Sequence, residues 1–63
     1  NGVRHVVEIK TTRTPVARDV ANLRDFIAQS SGMTKGFLFH LGEERKEIDG
    51  VLCLPVATLY RGV

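Results

Sequence analysis

Two apolar, strand-like runs separated by one helical pattern constrain this chain more than any other feature of its sequence. Residues 3–10 are rich in β-branched side chains, and residues 36–41 are apolar on both strand faces except at His40. The 25 residues between them, 11–35, are enough for a helical crossover, the connection that parallel strands need. The sequence therefore predicts an α/β fold built on a parallel β-α-β crossover.

The crossover helix is expected to run from about Pro15 to Ser30. Its start is marked by Thr14, which can accept hydrogen bonds from the first turn, and by Pro15, whose φ already suits a helix. Gly32 supplies the stop, because glycine tolerates the left-handed conformation that commonly ends a helix. The buried side is expected to be an apolar stripe with helical spacing, formed by Val16, Val20, Leu23 and Ile27.

A β-hairpin is expected after the second strand. The signals are a polar turn at 42–45, a short strand at 46–48, the turn pair Asp49-Gly50, a strand at 51–54 and a helical turn at 56–60. Residues 1–63 are thus interpreted as a single domain, a β-α-β crossover with an appended hairpin. The start at Asn1 rather than Met suggests a piece of a longer protein.

Alternation along the first strand predicts which sheet face the helix covers. One face is largely apolar and is expected to pack on the core; it carries Val3, His5, Val7 and Ile9. The other is mostly charged and carries Arg4, Val6, Glu8 and Lys10. We expect the face under Val6, Leu38 and Leu52 or Leu54 to lack a cover within this chain, so that missing residues or a partner subunit cover it.

Charge, cysteine content and hydropathy restrict the environment. Nine basic and seven acidic residues give a net charge of +2, which is typical of an ordinary solvated surface and supports nucleic-acid binding only weakly. Cys53 is the only cysteine, so no disulfide forms within the chain, and it is expected to be a small buried hydrophobe. No apolar run approaches the roughly 20 residues that cross a bilayer. We therefore expect a soluble, cytoplasmic protein without a membrane partner.

Glu8 and Lys10 form the best chemical constellation. Two residues apart on one strand, they project from the same face, as a carboxylate and an ammonium must to act on one bound group. Glu8 could hold Mg²⁺ with a second acid, while Lys10 could orient water and stabilise charge on a phosphate. A solvated, charged strand face is the alternative. His40 is a weaker candidate for such a site, and His5 is expected to be a packed, hydrogen-bonded side chain.

The wider sequence resembles a known domain family. The segments that carry the resemblance are 6–15, with Glu8-Ile9-Lys10 and Thr14-Pro15, then 19–26, 35–39, 42–44 and 54–56. This ordered set resembles the carboxy-terminal domain of prokaryotic AAA-type ATPases, a domain of unassigned function that is similar in fold to PD-(D/E)XK nucleases. The resemblance spans nearly the whole chain. It implies that residues 1–63 are a single partial domain, the carboxy-terminal piece of a longer protein, and a fragment of a restriction-endonuclease-like fold.

The resemblance also implies roles for two residues. Glu8 corresponds to the second metal-binding acid of the nuclease pattern, and Lys10 corresponds to its catalytic lysine. The first acid belongs to an upstream strand, yet none of the seven residues before Glu8 is acidic. The phosphate-binding Gly-Lys-Ser/Thr sequence of the ATPase module does not occur either.

Two functions follow as expectations. The first is a non-catalytic accessory domain that binds the remainder of its own ATPase chain or a second copy of itself. The alternative is a metal-dependent nuclease-like domain, which would use Mg²⁺ in the full-length protein and act on nucleic acid. The fragment alone is expected to hold no cofactor and to be inactive, because Mg²⁺ usually needs one or two carboxylates together with phosphate oxygens.

Overall fold

Strands and helices follow one another in the predicted order. The computed structural model describes residues 2–30 and 32–60. Its elements are β1 (Arg4–Ile9), α1 (Ala17–Gln29), β2 (Thr34–His40), β3 (Lys46–Ile48), β4 (Val51–Pro55) and α2 (Ala57–Tyr60). The strands form one mixed sheet in the order β1-β2-β4-β3. The α/β class is confirmed.

The strands β1 and β2 are parallel neighbours, and α1 connects them. Their register pairs Arg4 with Thr34 and Ile9 with Phe39. β4 lies parallel to β2 on its other side, and β3 returns antiparallel to β4. The sheet thus contains the predicted parallel β-α-β unit and the predicted hairpin, with β1 and β3 at its two edges.

Helix α1 begins at Ala17, two residues later than predicted, because Asp19 rather than Thr14 supplies the cap. The backbone N–H of Val16 donates a hydrogen bond of 2.8 Å to the Asp19 carboxylate. The backbone N–H of Asp19 in turn donates to the Val16 carbonyl, also at 2.8 Å. Acidic side chains in a first turn stabilise helices through the same exposed N–H groups.

Two turns use left-handed backbone, as their residue types predict. Gly32 has φ +81°, but it is not the residue that ends α1 as predicted, because the helix ends at Gln29 and is followed by Ser30 in an extended conformation. Asp49 and Gly50, between β3 and β4, have φ values of +50° and +83°. Two successive positive φ values are typical of a type I′ hairpin turn, whose twist matches that of the flanking strands.

The hydrophobic core lies between α1 and one face of the sheet. It consists of the buried side chains of Val20, Leu23, Leu38, Val51 and Cys53, with Val6, Ile27 and Ile48 packed against them. Most of the sheet residues in this core belong to the two central strands, β2 and β4. The edge strand β1 adds only Val6.

The structure reverses the predicted faces of the sheet. The face of Val3, His5, Val7 and Ile9 was expected to lie under the helix, but all four side chains are exposed. Val6 and Leu38, which were expected on the uncovered face, pack in the core beneath α1. Within residues 2–30 and 32–60 one apolar face of the sheet is left uncovered, as predicted, but on β1 it consists of the other set of side chains. Leu54 lies on the open face, as predicted.

Gly36 on the central strand β2 lies directly beneath Ile27 of α1. A methyl group built on Gly36 would lie only 2.7 Å from Cδ1 of Ile27. Glycine in β2 therefore allows the helix to approach the sheet closely. Apolar content along an edge strand says little about helix placement, since the helix packs mainly on the central strands.

The molecule is a two-layer slab measuring 32 × 27 × 15 Å along its principal axes. One layer is the sheet and the other is α1, while α2 lies at the end of β4 beside the open face. None of the helices in the described segments is both long and apolar enough to cross a bilayer.

Candidate functional site

Glu8 and Lys10 lie together at the carboxyl end of β1. Their side chains form an ion pair, with 3.4 Å between Lys10 Nζ and Glu8 Oε2. Both are partly exposed, at 37% for Lys10 and 30% for Glu8. Glu8 pairs with Leu38 across the strands and therefore lies on the side of the sheet that α1 covers. The ammonium and the carboxylate are thus close enough to contact one bound group.

The surroundings of this pair supply few further metal ligands. Within residues 2–30 and 32–60, no three His, Cys, Asp or Glu side chains are grouped so that they could hold a metal ion. Glu8 is the carboxylate that could contribute to such a site, and a second acid would have to come from elsewhere. The roles suggested for Glu8 and Lys10 remain predictions.

His40 serves the structure rather than the candidate site. It is fully buried at the end of β2, and both ring nitrogens are engaged. The backbone N–H of Gly42 donates to Nδ1 at 3.0 Å, so Nδ1 is an acceptor and the proton is on Nε2. Nε2 donates to the Glu44 carbonyl at 2.9 Å. The imidazole therefore fixes the loop after β2 and offers no free nitrogen to a ligand.

The loops after β1 and β2 are in direct contact at the carboxyl edge of the sheet. The backbone N–H of Leu41 donates to the Thr12 carbonyl at 2.9 Å. Gly42 packs so tightly on the Arg13 carbonyl that an added Cβ would overlap its oxygen. Ligands commonly bind at this edge in open α/β sheets, and the two loops close it between β1 and β2. A cavity of about 570 Å³ remains at the same edge beyond β2, lined by Leu41, Gly42, Glu43, Pro55, Ala57 and Thr58.

The open face of the sheet carries an apolar groove of about 410 Å³. We call it the open-face groove, and it is lined by His5, Val7, Phe37, Phe39, Leu54, Thr58 and Leu59. β1 forms one side and α2 the other, with β2 and β4 as the floor. Next to it, Ile9 is 61% exposed, and Val7 within it is 56% exposed. An apolar surface of this kind is typical of a protein contact.

Charged residues border one end of the groove. Lys35, Arg45 and Glu47 line an adjoining depression that also contacts Phe37 and Leu52. Neither Lys35 nor Arg45 forms an ion pair with another residue of the described segments. The border of the groove is therefore more basic than acidic.

His5 and Cys53 have different outcomes. His5 is exposed on the open face, where its ring stacks on that of Phe37 with 5.7 Å between the centroids. It is not the core histidine that the sequence predicted. Cys53 is buried in the core as predicted, and its thiol donates to the Val51 carbonyl at 3.7 Å. Burial raises the pKa of the Cys53 thiol; the charge of Lys46 lowers it, and Asp19 adds to the rise.

The sequence pattern alone does not single out the residues of the open-face groove as a unit. Gly36 was the available signal, because a glycine in a central strand marks the face on which a helix comes close. Its neighbours on β2, Lys35 and Phe37, must then point to the other face. Comparisons of the chain with protein-family models, with curated proteins and with solved structures return no match.

Proposed function

We propose that this chain is a non-catalytic accessory domain whose open sheet face binds the remainder of a prokaryotic AAA-type ATPase chain. The observation that carries the proposal is the open-face groove, in which Val7 is 56% and Leu59 50% exposed, although Phe39 in the same groove is buried. Covering apolar surface stabilises a complex by about 25 cal/mol per Å². Several half-exposed aliphatic side chains on one face therefore favour association.

The resemblance to the ATPase domain supports the choice of partner. The parallel unit of β1, α1 and β2 suits the order of segments on which that resemblance rests. The finer assignment, a fragment of a restriction-endonuclease-like fold, belongs to this proposal. A covering element from the same longer protein would convert the slab into a three-layer domain with both sheet faces buried.

The second candidate function is a metal-dependent nuclease-like activity in the full-length protein. The distance of 3.4 Å between Lys10 Nζ and Glu8 Oε2 favours it. Such a site requires at least one further acid from outside residues 1–63 to hold Mg²⁺. A partly exposed ion pair is also common on ordinary protein surfaces and contributes little to stability, so it is weaker support than the apolar groove.

Hydrogen exchange tests the accessory role. The amides of residues 5–9 and 35–39 are measured in the 63-residue chain and in the longer ATPase chain proposed to contain it. We expect these segments to exchange more slowly in the longer chain, because the covering element shields the edge strand and its neighbour. The outward side of α1 serves as the control and should exchange alike in both. Equal exchange of 5–9 and 35–39 in the two proteins would refute the proposal.

A further inference from the structure

We propose that the occupant of the open-face groove is an amphipathic α-helix with an apolar stripe and acidic residues beside it, supplied by the partner. This inference rests on the proposed function and specifies the chemistry of the docking element. Three features carry it: the shape of the groove, its apolar lining and the basic border at one end.

The shape of the groove favours a rod over a flat surface. Leu59 and Thr58 of α2 stand beside the sheet face and form a wall along the groove. The lining residues of β1 and β2 lie at positions 5–7 and 37–39, which span roughly 7 Å along the strands, a length that one to two helical turns cover at about 5.4 Å each. A helix placed against the wall can insert side chains at the i, i+3, i+4 and i+7 positions.

The charges at the border favour an acidic flank on that helix. Lys35 and Arg45 contact the same depression as Phe37, and no other described residue forms an ion pair with them. Glu47 is the one acidic side chain there. Complementary charge would set the direction of the docked helix and increase its rate of association.

The same features disfavour the other occupants. A second copy docked face to face would bring its own Lys35, Arg45 and Glu47 to the interface, whose net positive charge would oppose association. Single-stranded nucleic acid needs cations along the whole path of its phosphates. Among the described residues, the cations that border the groove are Lys35 and Arg45, and the floor of the groove is aliphatic and aromatic.

A pair of designed peptides tests the inference. Both are fluorescein-labelled helices of about 14 residues with leucines at i, i+3, i+4 and i+7. One has glutamates beside the leucines and the other has lysines. We expect fluorescence anisotropy to show at least tenfold tighter binding of the glutamate peptide. In the variant Lys35→Glu/Arg45→Glu, the preference should shift to the lysine peptide.

Matched variants separate the groove from general charge and hydrophobicity. Arg13→Glu/Arg18→Glu changes the net charge equally at exposed positions outside the groove and should keep the preference for glutamate. Val7→Ser should weaken binding of both peptides. Met33→Ser, at a position 62% exposed and outside the groove lining, should leave binding unchanged. Circular dichroism confirms that each variant folds.

The outcomes distinguish this inference from the proposed function. Equal affinity for the two peptides, or a preference that survives Lys35→Glu/Arg45→Glu, overturns the acidic helix. Tighter binding of a dT oligonucleotide than of either peptide, or dimerisation of the chain that Val7→Ser abolishes, overturns it in favour of nucleic acid or a second copy. Shielding of 5–9 and 35–39 in the longer ATPase chain, together with failure of both peptides, would retain the proposed function and reject the helix.

Discussion

At the scale of single residues, His40 shows how a buried polar side chain can fix a loop. Its two ring nitrogens join the Gly42 N–H and the Glu44 carbonyl, so the imidazole replaces two bonds that the loop would otherwise make with water. A buried polar group that loses its partner costs more than the bond itself contributes. Its two partners, Gly42 and Glu44, lie two and four positions after His40 in the sequence.

We predict that His40→Phe lowers the free energy of unfolding by about 2–3 kcal/mol, because two backbone groups of the loop lose their partner. Urea denaturation followed by circular dichroism measures the change. His5→Phe is the matched control and should be close to neutral, since an exposed phenylalanine can keep the stack on Phe37. Equal losses for the two variants would show that His40 is not the anchor of the loop.

Cys53 gives a prediction about pH. Burial raises the pKa of the thiol in the folded chain above its unfolded value of about 8.5. The stability from the protonated thiol is therefore complete below pH 8.5 and is lost as the pH rises through the folded pKa. We expect the urea midpoint to fall more steeply above that pH for the native chain than for Cys53→Ala. The same dependence of the urea midpoint on pH in the native chain and in Cys53→Ala would contradict a raised pKa for the Cys53 thiol.

Single residues were predictable where a strand period alone decided their position. The approach of Glu8 and Lys10 follows from the two-residue repeat of a strand. The burial of Cys53 follows from an apolar strand with no partner cysteine. The role of His40 was not predictable, because its partners are backbone atoms whose positions depend on the loop conformation.

At the scale of elements, the loops after β1 and β2 act as one unit. The hydrogen bond from Leu41 to Thr12 joins them, and Gly42 fills a space that has no room for a side chain. The rigid neighbour of Gly42 is the backbone carbonyl of Arg13, which cannot move without displacing the loop. The contact between the two loops requires glycine at position 42 because the residue has no side chain, and not because it needs an unusual backbone conformation.

We predict that Gly42→Ala lowers the free energy of unfolding by about 1–3 kcal/mol, the usual cost of forcing an extra carbon into a packed region. Gly36→Ala is the control, because the added methyl group meets the movable end of Ile27 instead of backbone. Thermal unfolding should show a clearly larger decrease in Tm for the Gly42 variant. A larger decrease for Gly36→Ala would reverse this interpretation.

Most elements were predictable to within two residues, because periodicity and turn residues define them locally. The start of α1 differed, since Asp19 caps the helix from within its first turn. The face that α1 covers was predicted wrongly. The helix packs on Leu38 of β2 and on Val51 and Cys53 of β4, and these residues are brought together by the register between the two strands.

At the scale of the whole molecule, one helix on one sheet leaves a thin slab with an apolar side. The predicted order of elements and the parallel pairing of β1 and β2 are both present. The existence of an uncovered face was also predictable, because the sequence holds a single long helix. The residues that form the uncovered face are set by the register between neighbouring strands, which the sequence alone does not reveal.

We predict that the 63-residue chain does not cleave DNA in the presence of Mg²⁺. Glu8 is the acid beside Lys10, and Mg²⁺ bound by so few protein ligands would not be positioned for catalysis. A plasmid-nicking assay tests this. Cleavage that disappears in Glu8→Gln but persists in Glu47→Gln would contradict the prediction and support the nuclease alternative.

The position of Val51 and Cys53 beneath α1 has a consequence for synthesis on the ribosome. These two side chains come from β4, near the end of the chain, yet they complete the surface on which Val20 and Leu23 pack. A nascent chain that has not yet released β4 offers the helix only part of its contact surface. The domain should therefore acquire its native packing only after β4 has emerged from the ribosome.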